Sequence, residues 1–210
     1  MERVSGMTRG AEDRERWEEL YSSHARANRP PSSWVLRTVT GLPNDLPLVD
    51  IAGGMGRHAI PIARLGRRVI LVDIVFEAAA SARAAEATID GVIADTANLP
   101  LAPGRFGVVL VTNFLDRTIF ADLVRLVAPG GFLVYETYTT GHLELVNRGV
   151  ARGPTTNDYL LRPGELPELA APLTVIEYRE GEVNDEAGRR HCARLLARQP
   201  GLRPEARGQR

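Results

Sequence analysis

From Leu48 to Glu136 the chain alternates between short apolar runs and stretches of helical spacing. Leu48–Ala52, Val69–Asp73, Gly91–Ala94, Val108–Thr112 and Phe132–Glu136 are the apolar runs. Arg57–Leu65, Phe76–Glu86 and Asp116–Val127 lie between them with apolar residues at helical intervals, and Pro129-Gly130-Gly131 predicts a turn before the fifth run. Nearly continuous apolar strands separated by helices predict a parallel sheet covered on both faces. The end of the chain reads differently. A short helix is predicted from Pro163 through Glu165–Ala170, and Thr174–Arg179 and His191–Ala197 read as strands. About a dozen residues separate these two, too few for a helical crossover, so the last strand should run antiparallel.

Ahead of the first strand, Asp13–Tyr21 carries Trp17, Leu20 and Tyr21 on an otherwise charged stretch and predicts an amphipathic helix. Ala27–Pro31 breaks it, and either Ser32 or Ser33 caps a second helix through Trp34, Leu36 and Val39. Residues 1–12 and the tail 200–210 lack periodic apolar positions and are expected to be flexible. The organisation expected is one domain over residues 1–199, with 13–46 as a helical cover.

Composition narrows the function. The 210 residues include 44% apolar and 25% charged, as in ordinary globular chains. A formal net charge of zero offers no global field for nucleic acid or an anionic membrane. There is no lysine, which excludes Schiff-base chemistry and a phosphate-loop lysine. Cys192 is the single cysteine, so no internal disulfide forms and a cytoplasmic location is expected. No apolar run approaches the roughly 20 residues of a membrane span.

The most informative segment is Leu48-Val49-Asp50-Ile51-Ala52-Gly53-Gly54-Met55-Gly56-Arg57-His58. It reads as a buried strand, an acid near its carboxyl end, a glycine cluster and a helix start. Such loops let backbone approach a ligand at the carboxyl ends of parallel strands. A loose dinucleotide fingerprint, Gly54-x-Gly56-x-x-Ala59, fits the same residues. Asp73 ends the second strand, where a carboxylate can accept ribose hydroxyls, and Asp95 follows the third, within reach of an adenine. Asp50 would repel a pyrophosphate but attract an ammonium, which favours a zwitterionic cofactor.

DIAGGMGRHAI, VILVD, GVIADTANLPLAPGRFGVVLV and LVAPGGFLVYET resemble the successive motifs of class I S-adenosylmethionine-dependent methyltransferases. The resemblance spans roughly Leu48 to Ala197. FLDR at Phe114–Arg117, YET at Tyr135–Thr137 and NDYLLRPGEL at Asn157–Leu166 are similar to small bacterial methyltransferases related to tellurite-resistance enzymes. It implies an α/β, Rossmann-like methyltransferase fold: a mostly parallel seven-stranded sheet with a C-terminal antiparallel hairpin and helices on both faces. It also implies S-adenosyl-L-methionine as cofactor and S-adenosyl-L-homocysteine as product. Asp50, Ala52, Gly53, Gly54 and Gly56 would hold the methionyl part, Asp73 and Ile74 the ribose side, Asp95 and Thr96 the adenine, with Asn113 beside the reaction centre. Ala52 stands where glycine is common, tolerable with ordinary dihedrals. Gly107 stands where relatives carry an acid.

His142, Glu136 and Asn113 are the catalytic candidates, the first two as bases should the acceptor need one. Asn113 either faces the reaction centre or caps the helix near Asp116. Trp17 and Tyr21 either line the sulfonium site or pin the first helix. Arg117 and Arg162 either clamp an anion or form ion pairs. His58 reads as a packing or surface residue. His191 and Cys192 point to opposite faces of a strand, so no metal is expected. Thr139–Pro163 should cover the acceptor, and it lacks a basic stripe or aromatic ladder for nucleic acid. The expected partner is a small-molecule acceptor, with a thiol, a metalloid oxyanion or another metabolite open. A nicotinamide-dependent oxidoreductase and a non-catalytic cofactor-binding module are the alternatives.

Overall fold

The computed structural model describes residues 14–19, 21, 29–186 and 188–201. Residues 14–19 and 21 are helical, and Trp17 stacks on Tyr21 with ring centroids 5.9 Å apart. The predicted flexibility of residues 1–12 falls outside the described residues, as does that of the tail from 202 on.

Ser32 caps helix α1 (Ser33–Thr40), its Oγ accepting from the Val35 amide at 3.5 Å. The seven strands are β1 (Leu48–Ile51), β2 (Val69–Asp73), β3 (Ile89–Ile93), β4 (Phe106–Thr112), β5 (Val127–Tyr138), β6 (Thr174–Asp185) and β7 (Gly188–Arg198). The remaining helices are α2 (Ala59–Arg64), α3 (Phe76–Ala85), α4 (Phe120–Leu126), α5 (His142–Asn147) and α6 (Glu165–Leu169). The sheet order is β3-β2-β1-β4-β5-β7-β6, parallel through β5 and antiparallel where β7 pairs with β5 and β6. This is the expected Rossmann-like methyltransferase architecture with its terminal hairpin.

Strand parity divides the core. Val49, Ile51, Val109, Val111, Leu133 and Leu195 pack one face against Phe120 and Leu123 of α4 and Leu166 of α6. Leu48, Val69, Leu71, Val108, Leu110 and Val134 pack the other against Trp34 and Val35 of α1, Ile62 of α2 and Ala82 of α3. Each such fully buried side chain contributes about 1.5–3 kcal/mol of transfer free energy. Because β1 neighbours both β2 and β4, the chain reverses direction across the sheet there, the switch point at whose carboxyl ends such sheets bind ligands.

Several boundaries differ from expectation. Pro129-Gly130-Gly131 is not a turn before a strand but an irregularity inside β5: Phe106 pairs with Val127 and Val108 with Phe132, so the four residues 128–131 face Gly107 alone. The hairpin strands are longer than their apolar cores, since β6 runs to Asp185 along a half-exposed edge that carries little apolar signal. Helix α2 starts at Ala59, leaving Arg57 and His58 in the turn before it.

Candidate active site

The alternation that builds the second core face continues to the carboxyl ends of the strands, where it changes from apolar to polar. Asp50 follows Leu48, Asp73 follows Leu71, Thr112 follows Leu110, and Glu136 and Tyr138 follow Val134. All five belong to the face covered by α1 to α3. Main-chain bonds tie the rim together: Gly53 N–H to Val72 O at 3.1 Å, Ala94 N–H to Asp73 O at 3.0 Å, and Asn113 N–H to Glu136 O at 2.8 Å.

The loop after β1 has three residues in left-handed conformations, Ala52 at φ +53°, Gly54 at +57° and Gly56 at +79°. Ala52 therefore departs from the expected ordinary dihedrals: it is an L-residue in a region that glycine occupies freely. Gly53 is required for space, because a Cβ there would stand 2.9 Å from Leu71 Cγ and 3.0 Å from Asp50 Cγ.

Asp50 lies beneath this loop, 1% exposed, and neither carboxylate oxygen completes a hydrogen bond. Burial pushes its pKa up to about 7 from 3.8; the Arg57 cation pulls it back, Asp73 adds to the rise, and the Ala59 amide lowers it. Asp73 is 4% exposed, and accepts the Gly54 amide on Oδ2 at 2.8 Å and the Val75 amide on Oδ1 at 3.0 Å. Burial raises its pKa, and the Val75, Gly54 and Ile74 amides oppose the rise. A carboxylate has about four lone-pair sites, so Asp73 retains acceptor capacity for a ligand. Ile74 follows it, half-buried. Asp95 Oδ1 accepts the Ala97 amide at 2.9 Å, capping a short 3₁₀ turn at Thr96–Asn98, with Thr96 half-buried beside it. Asn113 also has a left-handed backbone, φ +52°, and it is Asp116 that caps the next turn by accepting from Thr118 at 2.8 Å. The capping alternative for Asn113 is thereby removed.

Two catalytic candidates prove to be committed elsewhere. Glu136, 1% exposed, accepts from Arg190 Nη2 at 3.1 Å on Oε1, and from Arg194 Nε at 2.7 Å and Ser32 Oγ at 2.9 Å on Oε2. Asp185 closes the cluster by pairing with both arginines. Two acids and two arginines balance, so Glu136 is an anchor for α1, β5 and β7, with both oxygens occupied. His142 is fully buried at the start of α5 and tilted against Tyr138, ring centroids 4.6 Å apart. Its Nδ1 accepts the His191 amide at 3.3 Å, which leaves the neutral ring's proton on Nε2. Burial lowers its pKa, but no face of the ring is open to an acceptor. In the ligand-free protein both expected bases are thus engaged by neighbouring residues.

Arg117 and Arg162 form ion pairs: Arg117 grips buried Glu165 with Nε–Oε1 at 2.7 Å and Nη2–Oε2 at 2.9 Å, and Arg162 Nη2 reaches Oε1 at 3.0 Å. His58 is 1% exposed; its Nε2 accepts the Ser32 amide at 3.0 Å, so Nδ1 carries the proton and donates to Thr112 Oγ1 at 3.2 Å. Burial, reinforced by Arg57 and Arg190, holds His58 neutral. Arg57 was not singled out from sequence. Burial lowers its pKa while Glu136, Tyr138 and Asp50 oppose that shift, so its guanidinium lies within the field of all three. Arg190 and Arg194 were missed as well. Their even spacing with Cys192, running from just before the expected strand His191–Ala197 into it, was the signal, since a charged pair on an otherwise buried face needs an acidic partner. Among the described residues no three metal-type side chains converge, and no helix is long and apolar enough to cross a membrane.

A search of curated protein sequences finds no match. Residues 49–135 match the family described as methyltransferase domain. Solved structures share the fold at low identity. An S-adenosylmethionine-dependent methyltransferase from Methanosarcina mazei superposes with a TM-score of 0.65 at 19% identity, covering 78% of this chain and 97% of that one. The glycopeptide N-methyltransferase MtfA, solved with S-adenosylhomocysteine, gives 0.61 at 20% identity over 82% and 91%. A protein from work on disulfide-to-thioacetal conversion during echinomycin biosynthesis gives 0.66 at 19% identity over 83% of each chain. Residues 49–135 are thus similar to the methyltransferase-domain family, and the chain has a fold shared with S-adenosylmethionine-dependent methyltransferases.

Proposed function

We propose that this methyltransferase binds S-adenosylmethionine across the carboxyl ends of β1 to β4 and transfers its methyl group to a small-molecule acceptor. The observation that carries the reading is the set of acids ending β1, β2 and β3 around a glycine loop whose backbone is bare. In this reading Asp50 and residues 52–56 hold the methionyl part, Asp73 accepts from the ribose with Ile74 beside it, Asp95 and Thr96 flank the adenine, and Asn113 borders the methyl group. That MtfA, on the same fold, was solved with S-adenosylhomocysteine supports the cofactor.

Methyl transfer from a sulfonium is an in-line displacement, for which alignment and exclusion of water matter more than a strong base. The occupied carboxylate of Glu136 and the enclosed ring of His142 favour an acceptor already nucleophilic, such as a thiolate or an oxyanion. A metalloid oxyanion is one member of that class, as the tellurite-type motifs suggest. Calorimetric titration with S-adenosylhomocysteine and, separately, NAD⁺ and NADP⁺ tests the cofactor. Heat with the first and none with the nucleotides is expected; the reverse refutes the reading. Transfer of a tritiated methyl group to a panel of thiols, oxyanions, amines and carboxylates tests the acceptor, and tight binding without any product would favour a non-catalytic module.

A further inference from the structure

The arginines of the C-terminal half are taken: Arg190 and Arg194 share Glu136 and Asp185, and Arg117 and Arg162 share Glu165. Arg57 is different. Among the described residues it makes no hydrogen bond and no ion pair, although it is half-buried at the polar rim. His58, next in the chain, is pinned between the Ser32 amide and Thr112 Oγ1 at the end of β4. Beyond β4 lies β5, whose Glu136 and Tyr138 act on the Arg57 guanidinium more strongly than Asp50 does. Glu136 has both oxygens occupied. The Tyr138 hydroxyl, on a residue 7% exposed, makes no hydrogen bond among the described residues. Thr112 Oγ1 takes the His58 proton, which leaves the threonine its own hydroxyl proton to donate. This end of the rim thus offers three donor groups and no free acceptor.

We propose that Arg57, Tyr138 and Thr112 hold a carboxylate of the methyl acceptor, which is therefore a small carboxylic acid methylated at another of its atoms. This rests on the reading that the cofactor lies along the acids of β1 to β3, which leaves the ends of β4 and β5 to the acceptor. Charge agrees with it. Arg57, Arg190 and Arg194 face Glu136 and Asp185. With Asp50 answered by the cofactor's ammonium, one positive charge is left over, the complement of a monoanion. The number of donors agrees as well: a carboxylate has about four lone-pair sites, and a guanidinium fork with two hydroxyls fills them. A neutral amide or alcohol would leave Arg57 without a counter-charge in a half-buried place. A carboxylate so fully engaged is a poor nucleophile, so a different atom attacks the sulfonium. With a thiolate there, its lone pair forms the bond to the methyl carbon, the S–C bond breaks with its electron pair kept by the cofactor's sulfur, and no proton moves.

The test is a set of ligand-observed magnetic resonance titrations of the protein saturated with S-adenosylhomocysteine, with acetate, benzoate and glutarate each set against its neutral amide. A charge-assisted hydrogen bond to a carboxylate corresponds to about ten- to hundred-fold in affinity. A carboxylate that saturates the wild type should therefore bind at least about tenfold more tightly than its amide. Arg57→Gln should remove that preference, Arg57→Lys should keep part of it, and Tyr138→Phe should weaken the carboxylates about two- to tenfold. Calorimetry should find wild-type affinity for S-adenosylhomocysteine in all three variants. A folded Arg57→Gln that loses this affinity overturns the proposal, because the guanidinium then serves the cofactor. Equal binding of carboxylates and amides by the wild type overturns it without any variant, as does saturation by none of the carboxylates. No binding of S-adenosylhomocysteine by the wild type is a separate failure, that of the cofactor reading itself.

Discussion

Asp73 Oδ2 accepts the amide of Gly54 at 2.8 Å, so the acid ending β2 holds the loop that follows β1. Its other oxygen takes the Val75 amide at 3.0 Å, and the carboxylate is thereby fixed in orientation before any ligand arrives. Asp73→Ala should then show two effects of different origin. Loss of acceptor contacts to the ribose weakens S-adenosylhomocysteine by about 1–3 kcal/mol. The buried Gly54 and Val75 amides lose their acceptor, so the ligand-free protein also loses about 1–3 kcal/mol of stability. Calorimetry and urea denaturation of the same preparation separate the two; full affinity in a folded variant means that the sugar lies elsewhere.

The pH dependence of the protein should carry the mark of Asp50, whose folded pKa is pushed up to about 7 from the usual 3.8. Between these values the folded chain binds more protons than the unfolded one, so stability falls as pH rises from about 4 to 7. Asp50→Asn keeps the shape and removes the ionisation. It should change little at pH 4 and stabilise the ligand-free protein at pH 8, by an upper bound of about 4 kcal/mol. Cofactor binding should move the other way. An ammonium near Asp50 favours the ionised form, so affinity for S-adenosylhomocysteine should rise through pH 7 in the wild type and stay low and flat in Asp50→Asn. Parallel thermal melts and titrations at both pH values check the pair of signs.

The fold was legible because its inner strands β1, β2 and β4 are buried on both faces, which leaves continuous apolar runs such as Val69–Asp73 that no helix period mimics at that length. The acids at the ends of β1 to β3 were legible for the same reason, as polar residues terminating apolar runs. Pairings made across the sheet were not. Glu136 faces Arg194 only because β7 joins β5 antiparallel in that register, and local sequence carries no such information. Glu136 and His142 looked catalytic by position along the chain; their burial and partners, which tertiary contact alone decides, could not be read from it. Arg57 was hidden because Arg57–Leu65 was read as one helix, whereas α2 begins two residues later.

Ala52 sits at φ +53°, where an L-residue loses about 1–2 kcal/mol relative to its preferred regions. Glycine adopts that backbone freely but loses about 0.5–1 kcal/mol more chain entropy on folding. The difference favours Ala52→Gly, by an increment of about 0.5–1 kcal/mol. Urea midpoints at unchanged m-value measure it. A destabilised Ala52→Gly would mean that the methyl group of Ala52 packs usefully enough to offset its strained backbone.

The cluster of Glu136, Asp185, Arg190 and Arg194 predicts a stability phenotype where a catalytic one was expected. Arg190 is 4% exposed at its side chain and Glu136 1%, so their pairing has been removed from water altogether. Glu136→Gln leaves two buried guanidinium groups with one full carboxylate between them. Breaking a buried pair from one side costs about 3–5 kcal/mol. Ser32→Ala removes a neutral donor to the same carboxylate and the α1 cap together, at about 1–2 kcal/mol. If Glu136 is an anchor, Glu136→Gln should melt earlier, and at temperatures where it stays folded the methyl-transfer rate should keep the wild-type pH profile. A Glu136→Gln protein as stable as the wild type, with a rate that no longer rises with pH, would return Glu136 to the role of general base and require Arg190 to find its charge balance in Asp185 alone.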